Sequence, residues 1–175
     1  MIFTIDPLHS LVEFSVQHLK ISLVKGRFSE VHGIINLDTQ QPEKTTIQAQ
    51  VKVDSIYTGS AQRDAHLRSS DFFNVSKNPY MLFESTRVRL IDQNHCLVDG
   101  NFTMHGVTRP ITFQVTYTGT NRDPLTEAWR IGLSGVTTID RRDFGMVFNR
   151  RLIDGIAAIG NETRIEIHIE AIQTS

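Results

Sequence analysis

The chain has 175 residues, a formal net charge of -1 and 39% hydrophobic residues, with a single cysteine, Cys96. That length suits one domain, 1–175, with one sizeable core, and the near-neutral charge lacks the basic face of a nucleic-acid binder or the polybasic run of a membrane contact. An internal disulfide is excluded, and no apolar run reaches the ~20 residues that span a bilayer.

The N-terminal stretch MIFTIDPLHS lacks the basic start and continuous apolar run of a signal peptide. The expectation is a soluble cytoplasmic protein, or a periplasmic one for a chain already trimmed. From there a period of two dominates. VEFSVQH sets Val12, Phe14 and Val16 on one face against Glu13, Ser15 and Gln17. A strand is expected over 26–38, ended by TQQPEK, and IQAQVKVD alternates Ile47, Ala49, Val51 and Val53 with polar residues. Further strands are expected over 81–91 and 95–104, joined by IDQNH. MHGVTRP then turns into ITFQVTY, with Ile111, Phe113, Val115 and Tyr117 on one face. TGTNRDPLTE separates that strand from the next, over 128–139, and RIEIHIEA closes the series with Ile165, Ile167 and Ile169 facing one way. Alternation of this kind marks antiparallel strands with one dry face and one wet one.

Two segments break the period. SAQRDAHLRSSDFF, 60–73, offers Ser60 as an N-cap, Asp64 in a first turn, Arg68 at a cationic end and Leu67, Phe72 and Phe73 as an apolar anchor. A short helix covering one end of the sheet is expected there. The second, 138–155 (TIDRRDFGMVFNRRLIDG), mixes arginines and acids with Phe144, Met146 and Phe148, with a short helix expected around 140–145. Periodicity alone fits a sandwich or a barrel, and eight strands is the number that closes around packed side chains or one small ligand. The expected fold is all-β: an eight-stranded antiparallel barrel with one or two short helices.

Catalytic patterns are weak. The seven histidines show no i, i+4 zinc spacing and no Cys-x-x-Cys exists, so no metal site is expected. His9 and Ser10 are neighbours that point to opposite faces of a strand, no Gly-x-Ser-x-Gly elbow is present, and phosphate-cradling glycine loops are absent. Asp140, Asp143 and Asp154 could do acid–base work but suit capping and ion pairing in an arginine-rich loop.

The blocks IDPLHSLVEFSVQHL, GRF, DSIYTGSAQRDAHLRSSDFFNV, NPYMLFEST, VDGNFTMHGVTRPITFQV and TIDRRDFGM, in that order, resemble the YceI-like family of polyisoprenoid-binding proteins. The resemblance implies a lipocalin-like barrel, often dimeric, that holds a long apolar ligand in its lumen. The chain is then expected to bind a polyisoprenoid, as an isoprenoid quinone or a polyprenyl compound, for storage, transport or sensing. It is not expected to be an enzyme or to need a cofactor. Two other readings stand beside it: a barrel enzyme using His66, Arg63 or Arg142 on a small molecule, and a stress-related structural protein with no ligand. Period nominates the lumen residues as Val12, Phe14, Val16, Phe28, Val51, Val53, Phe83, Phe102, Ile111, Phe113, Val115 and Leu133. Candidate polar contacts at the mouth are His9, Arg63, His66 and Arg142.

Overall fold

The computed structural model describes residues 1–152, 155 and 157–174. In chain order these form β1 (Ile2–Ile5), β2 (Leu11–His18), β3 (Ser22–Phe28), β4 (Val31–Asn36), β5 (Thr46–Lys52), β6 (Ile56–Tyr57), α1 (Ala61–Arg68), β7 (Tyr80–Leu90), β8 (His95–Met104), β9 (Val107–Arg122), β10 (Trp129–Asp140) and β11 (Ile159–Gln173). The strands lie in the order β1-β4-β5-β7-β8-β9-β10-β11-β2-β3-β6, and β1 also pairs with β11, which closes the sheet on itself. Every pairing is antiparallel.

Eleven segments make eight staves. β1 and β2 run end to end along β11, with Ile5 opposite Ala171 and Leu11 opposite His168. β3 and β4 run end to end along them, Phe28 opposite Val12 and Ile34 opposite Thr4. The result is a closed eight-stranded antiparallel barrel with one short helix. The single strand expected over 26–38 is broken at Ser29–Glu30, because the stave changes partner there: on the side away from β1 and β2, β4 pairs with β5, whereas β3 meets only the two residues of β6. That leaves a gap in the wall beside β3, and α1 fills it.

α1 starts where Ser60 Oγ accepts a hydrogen bond from Arg63 N at 3.3 Å. Arg68 pins its other end, donating to the Asp54 and Ile56 carbonyls at 3.2 Å each and pairing with the Asp54 carboxylate. Phe72 and Phe73, just beyond the helix, are buried in the core. The second expected helix is a 3-10 turn, Arg141–Phe144, capped by Asp140 and ended by Gly145 at φ 75°, a left-handed conformation that glycine adopts without strain. Asp154 lies outside the described residues.

The inward faces follow the period of two, and aromatic side chains dominate them. Phe83 and Phe113 meet edge to face with centroids 5.5 Å apart, as do Phe102 and Phe144 at 5.4 Å. Room for rings of this size comes from missing side chains across the ladder. A Cβ at Gly26 would collide with the Phe14 ring, and one at Gly100 with the Phe83 ring.

Candidate functional site

The barrel is not filled. Its interior holds a cavity of about 740 Å³, room for about 25 water molecules at ~30 Å³ each. Protein cores pack like organic crystals and leave few voids larger than one water, so a space of this size is a binding volume. The walls come from alternate residues of most staves. Val12, Phe14 and Val16 of β2 line it, with Phe28 of β3, Val51 of β5, Phe83 of β7, Phe102 of β8, Phe113 and Val115 of β9, and Leu133 of β10.

Two nominated lumen residues fall outside this lining. Val53 is buried but sits in a 3-10 turn, Val53–Ser55, because β5 ends one residue earlier and the strand period ends with it. Ile111 faces inward and packs among the core side chains without reaching the cavity. Residues outside the nominated set also line it, among them Met81, Met104 and Met146, and Ile165, Ile167 and Ile169 of β11, which period had already placed on one face.

Polar groups in the lining gather at one end. Gln17 and His18 come from the end of β2, Ser60, Gln62, Arg63 and His66 from α1 and its cap, and Arg141, Arg150 and Thr163 from the β10–β11 side. Among the described residues the lining contains no carboxylate. Arg63 donates to Thr58 Oγ1 at 2.8 Å and to the Thr58 carbonyl at 2.6 Å, both neutral acceptors. The adjacent Asp64 is buried and turned the other way, accepting from Thr58 N at 2.9 Å and from its hydroxyl. His66 lies edge-on to Phe72 and Phe148, with centroids 5.0 and 5.1 Å away, and its Nε2 lies 2.9 Å from Asp71 Oδ2.

Arg141 is the least expected member. Its side chain is 4% exposed, and it donates to the carbonyls of Gly160 (2.9 Å), Met146 (2.7 Å) and Phe148 (2.9 Å), and to Asn161 Oδ1 at 3.4 Å. None of these acceptors is charged, and burial pushes its guanidinium value down. It staples the 145–149 segment across the barrel end. Its sequence neighbour Arg142 is exposed, grips Asp140 at 2.7 Å and does not reach the cavity. His9 is likewise no mouth contact: its Nδ1 lies 2.8 Å from Asp6 Oδ2, outside the lining.

That His9–Asp6 pair belongs to a second polar centre, which the sequence does not announce. Arg130 donates to Asp6 Oδ2 (2.8 Å), Glu170 Oε1 (2.6 Å) and Asp123 Oδ2 (2.7 Å). Its hydrogen bond holds the buried Asp6 carboxyl down at about 2. Asp6, His9 and Glu170 are close enough to ligate a metal, but the guanidinium of Arg130 supplies the cation there. A second such trio, Glu13, Glu166 and His168, lies on the outer wall, where Glu166 accepts from Arg164 at 2.8 Å.

Of His66, Arg63 and Arg142, the first two line the cavity and Arg142 is held away from it by Asp140. Ser10 Oγ is engaged with both the carbonyl and the N–H of Glu170. Cys96 is half-buried, and burial pushes its thiol value up, away from the reactive thiolate.

A closed eight-stranded barrel around a large apolar lumen, polar only at one mouth, defines a lipocalin-like lumenal container. The chain belongs to the YceI-like domain family, whose model matches residues 3–171. It is 33% identical over 165 residues to a UPF0312 protein of Pseudomonas savastanoi pv. phaseolicola, covering 94% of this chain and 82% of the relative. Its structure is similar to the YCEI protein of Campylobacter jejuni (TM-score 0.77, 28% identity, 91% of this chain and 90% of that one). A polyisoprenoid binding domain from Saccharophagus degradans shares the fold, with a TM-score of 0.70 at 16% identity over 97% of each chain.

Proposed function

We propose that the chain binds one long-chain lipid in its lumen, a polyisoprenoid such as an isoprenoid quinone or a polyprenyl compound, for storage, transport or sensing. One observation carries the reading: a cavity of about 740 Å³ walled by apolar side chains, with its polar groups confined to the α1 end. Water filling such a space would find few hydrogen-bond partners along the walls, whereas an apolar chain loses nothing there. Each 100 Å² of tail taken out of water contributes about 2.5 kcal/mol, part of which offsets the cost of ordering a flexible chain. The tail then occupies the apolar depth, and the head lies among Gln17, Gln62, Arg63 and Arg150, donors suited to carbonyl or phosphate oxygens. The naming of the Saccharophagus degradans neighbour as a polyisoprenoid binding domain supports the ligand class. Neither the catalytic nor the ligand-free reading has a comparable observation in its favour.

Purified protein extracted with organic solvent is expected to release a long-chain lipid detectable by mass spectrometry. Delipidated protein is expected to take up an added polyprenol. Empty extracts together with no uptake overturn the proposal.

A further inference from the structure

The hairpin joining β2 to β3 stands at the mouth, because its strands contribute Gln17, His18 and Val24 to the cavity lining, and Leu19 N donates to the Ala158 carbonyl at 2.8 Å beside the opening. Its tip breaks three habits of protein surfaces at once. First, the turn is closed by Ile21 N donating to the His18 carbonyl, with Leu19 at φ 52° and Lys20 at φ 58°. Tight hairpins of this left-handed type favour Asn-Gly, and a bulky Leu–Lys pair there holds a conformation that local sterics disfavour. Second, Ile21 is 83% exposed and Leu23 59% exposed, with both large aliphatic side chains in solvent. Third, the sequence from Phe14 to Ser29 contains Lys20, Lys25 and Arg27 and not one acidic residue.

Among the described residues neither Lys20 nor Lys25 is held in an ion pair, and the acid nearest the tip is the exposed Glu162 of β11, between Ile159 (opposite His18) and Thr163 (opposite Val16). Glu13 faces Arg27 in the ladder, five register steps above the last pair, His18–Ser22, which is roughly 17 Å along the strand. On the adjoining strands Glu166 accepts from Arg164 and Asp140 from Arg142.

We propose that this tip is a docking foot for an anionic lipid bilayer, with Ile21 and Leu23 entering the interface while Lys20 and Lys25 meet lipid phosphates. Apolar residues flanked by lysines suit that boundary: the aliphatic groups leave water, and each cation near an anionic surface adds attraction that salt screens. A protein partner would need a surface both apolar and acidic, whereas an anionic bilayer presents that combination as a continuous plane. The docked foot places the mouth against the membrane, so a lipid could pass between bilayer and lumen with little of its tail crossing water. The inference rests on the lumenal lipid-binding reading, but its machinery is separate, since none of Lys20, Ile21, Leu23 and Lys25 lines the cavity.

The test is flotation of the full chain with phosphatidylcholine vesicles, with and without phosphatidylglycerol. Solution uptake of a fluorescent polyprenol is measured in parallel. The wild-type chain is expected to float with the anionic vesicles, much less with neutral ones, and to be released by salt. Lys20→Glu with Lys25→Glu is expected to weaken anionic-vesicle binding at least tenfold, and Ile21→Ser with Leu23→Ser by a similar factor, both with unchanged thermal melting and uptake. No flotation with either vesicle, equal flotation with both, or variants that float like wild type each overturn the docking foot. Loss of uptake by the wild-type chain overturns the lipid-binding reading instead.

Discussion

The two ends of the barrel treat charge in opposite ways. At the α1 end, Arg63, Arg141 and Arg150 line the cavity with no carboxylate beside them in the lining. At the other, one guanidinium, Arg130, is gripped by three carboxylates from the β1–β2 connection, the β9–β10 turn and β11. The two centres lie on the same stave, separated by the length of β10, roughly 35 Å. A saturated cluster locks strands together and leaves nothing over for a ligand. A mouth whose cations rest on neutral acceptors is held less firmly and keeps its attraction for an incoming oxygen. The difference places an ion-paired lock at one end and cations without carboxylate partners in the cavity lining at the other.

The largest expected effect comes from breaking the locked end. Arg130→Met strands the Asp6, Asp123 and Glu170 carboxylates without their cation. Removing one partner of a buried ion pair costs about 3–5 kcal/mol, and the partial exposure of Arg130 places this case near about 3 kcal/mol. Urea denaturation is expected to show that loss, while polyprenol uptake by the folded fraction stays unchanged, because Arg130 does not line the cavity. A variant as stable as wild type, or one that fails to take up lipid while folded, would erase the division between the two ends.

Acid sharpens the same contrast. The Arg130 hydrogen bond is the main cause that lowers Asp6 from 3.8 to about 2. A carboxyl depressed in the folded state adds stability above its unfolded value, and that stability is lost as pH falls towards the folded value. Asp6→Asn is therefore expected to be less stable than wild type at neutral pH, with the gap closing between about pH 4 and pH 2. A gap that stays constant through that window means the Asp6–Arg130 contact does not set the depression.

These two centres also differ in how far the sequence disclosed them. The barrel walls were legible because a strand's period of two survives in the chain itself: Phe14, Phe83 and Phe113 could be placed inward without coordinates, and the structure places them there. Period failed where the backbone left the strand geometry. Val53 lost its face in a 3-10 turn, and in the Arg141–Phe144 turn the sequence nominated Arg142 where the structure buries Arg141. No local reading could separate those two arginines, since the choice depends on carbonyls at 146, 148 and 160 that approach only in the folded barrel. The Arg130 cluster was invisible for the same reason. Its partners at 6, 123 and 170 share no spacing, and only the closure of β1 onto β11 and the register of β10 bring them together. His9 looked like a mouth residue for want of that knowledge, and belongs instead to the locked end.

The smallest change in stability should accompany a clear change in binding, at the open end. Arg63 and Arg150 are exposed, and the Arg63 side chain donates only to the neutral oxygens of Thr58 among the described residues. Neutralising them, as Arg63→Gln with Arg150→Gln, is expected to alter unfolding by less than about 0.5 kcal/mol per site, the usual range for surface substitutions. If the mouth holds the oxygen-bearing end of the lipid, uptake of a polyprenyl phosphate should fall several-fold in this double variant while uptake of an unfunctionalised polyprene of equal length does not change. Equal losses for both ligands would show that the arginines support the wall and not the head group. No loss for either would move the polar contact to the other polar groups of the same rim, such as Gln17, Gln62 or His66.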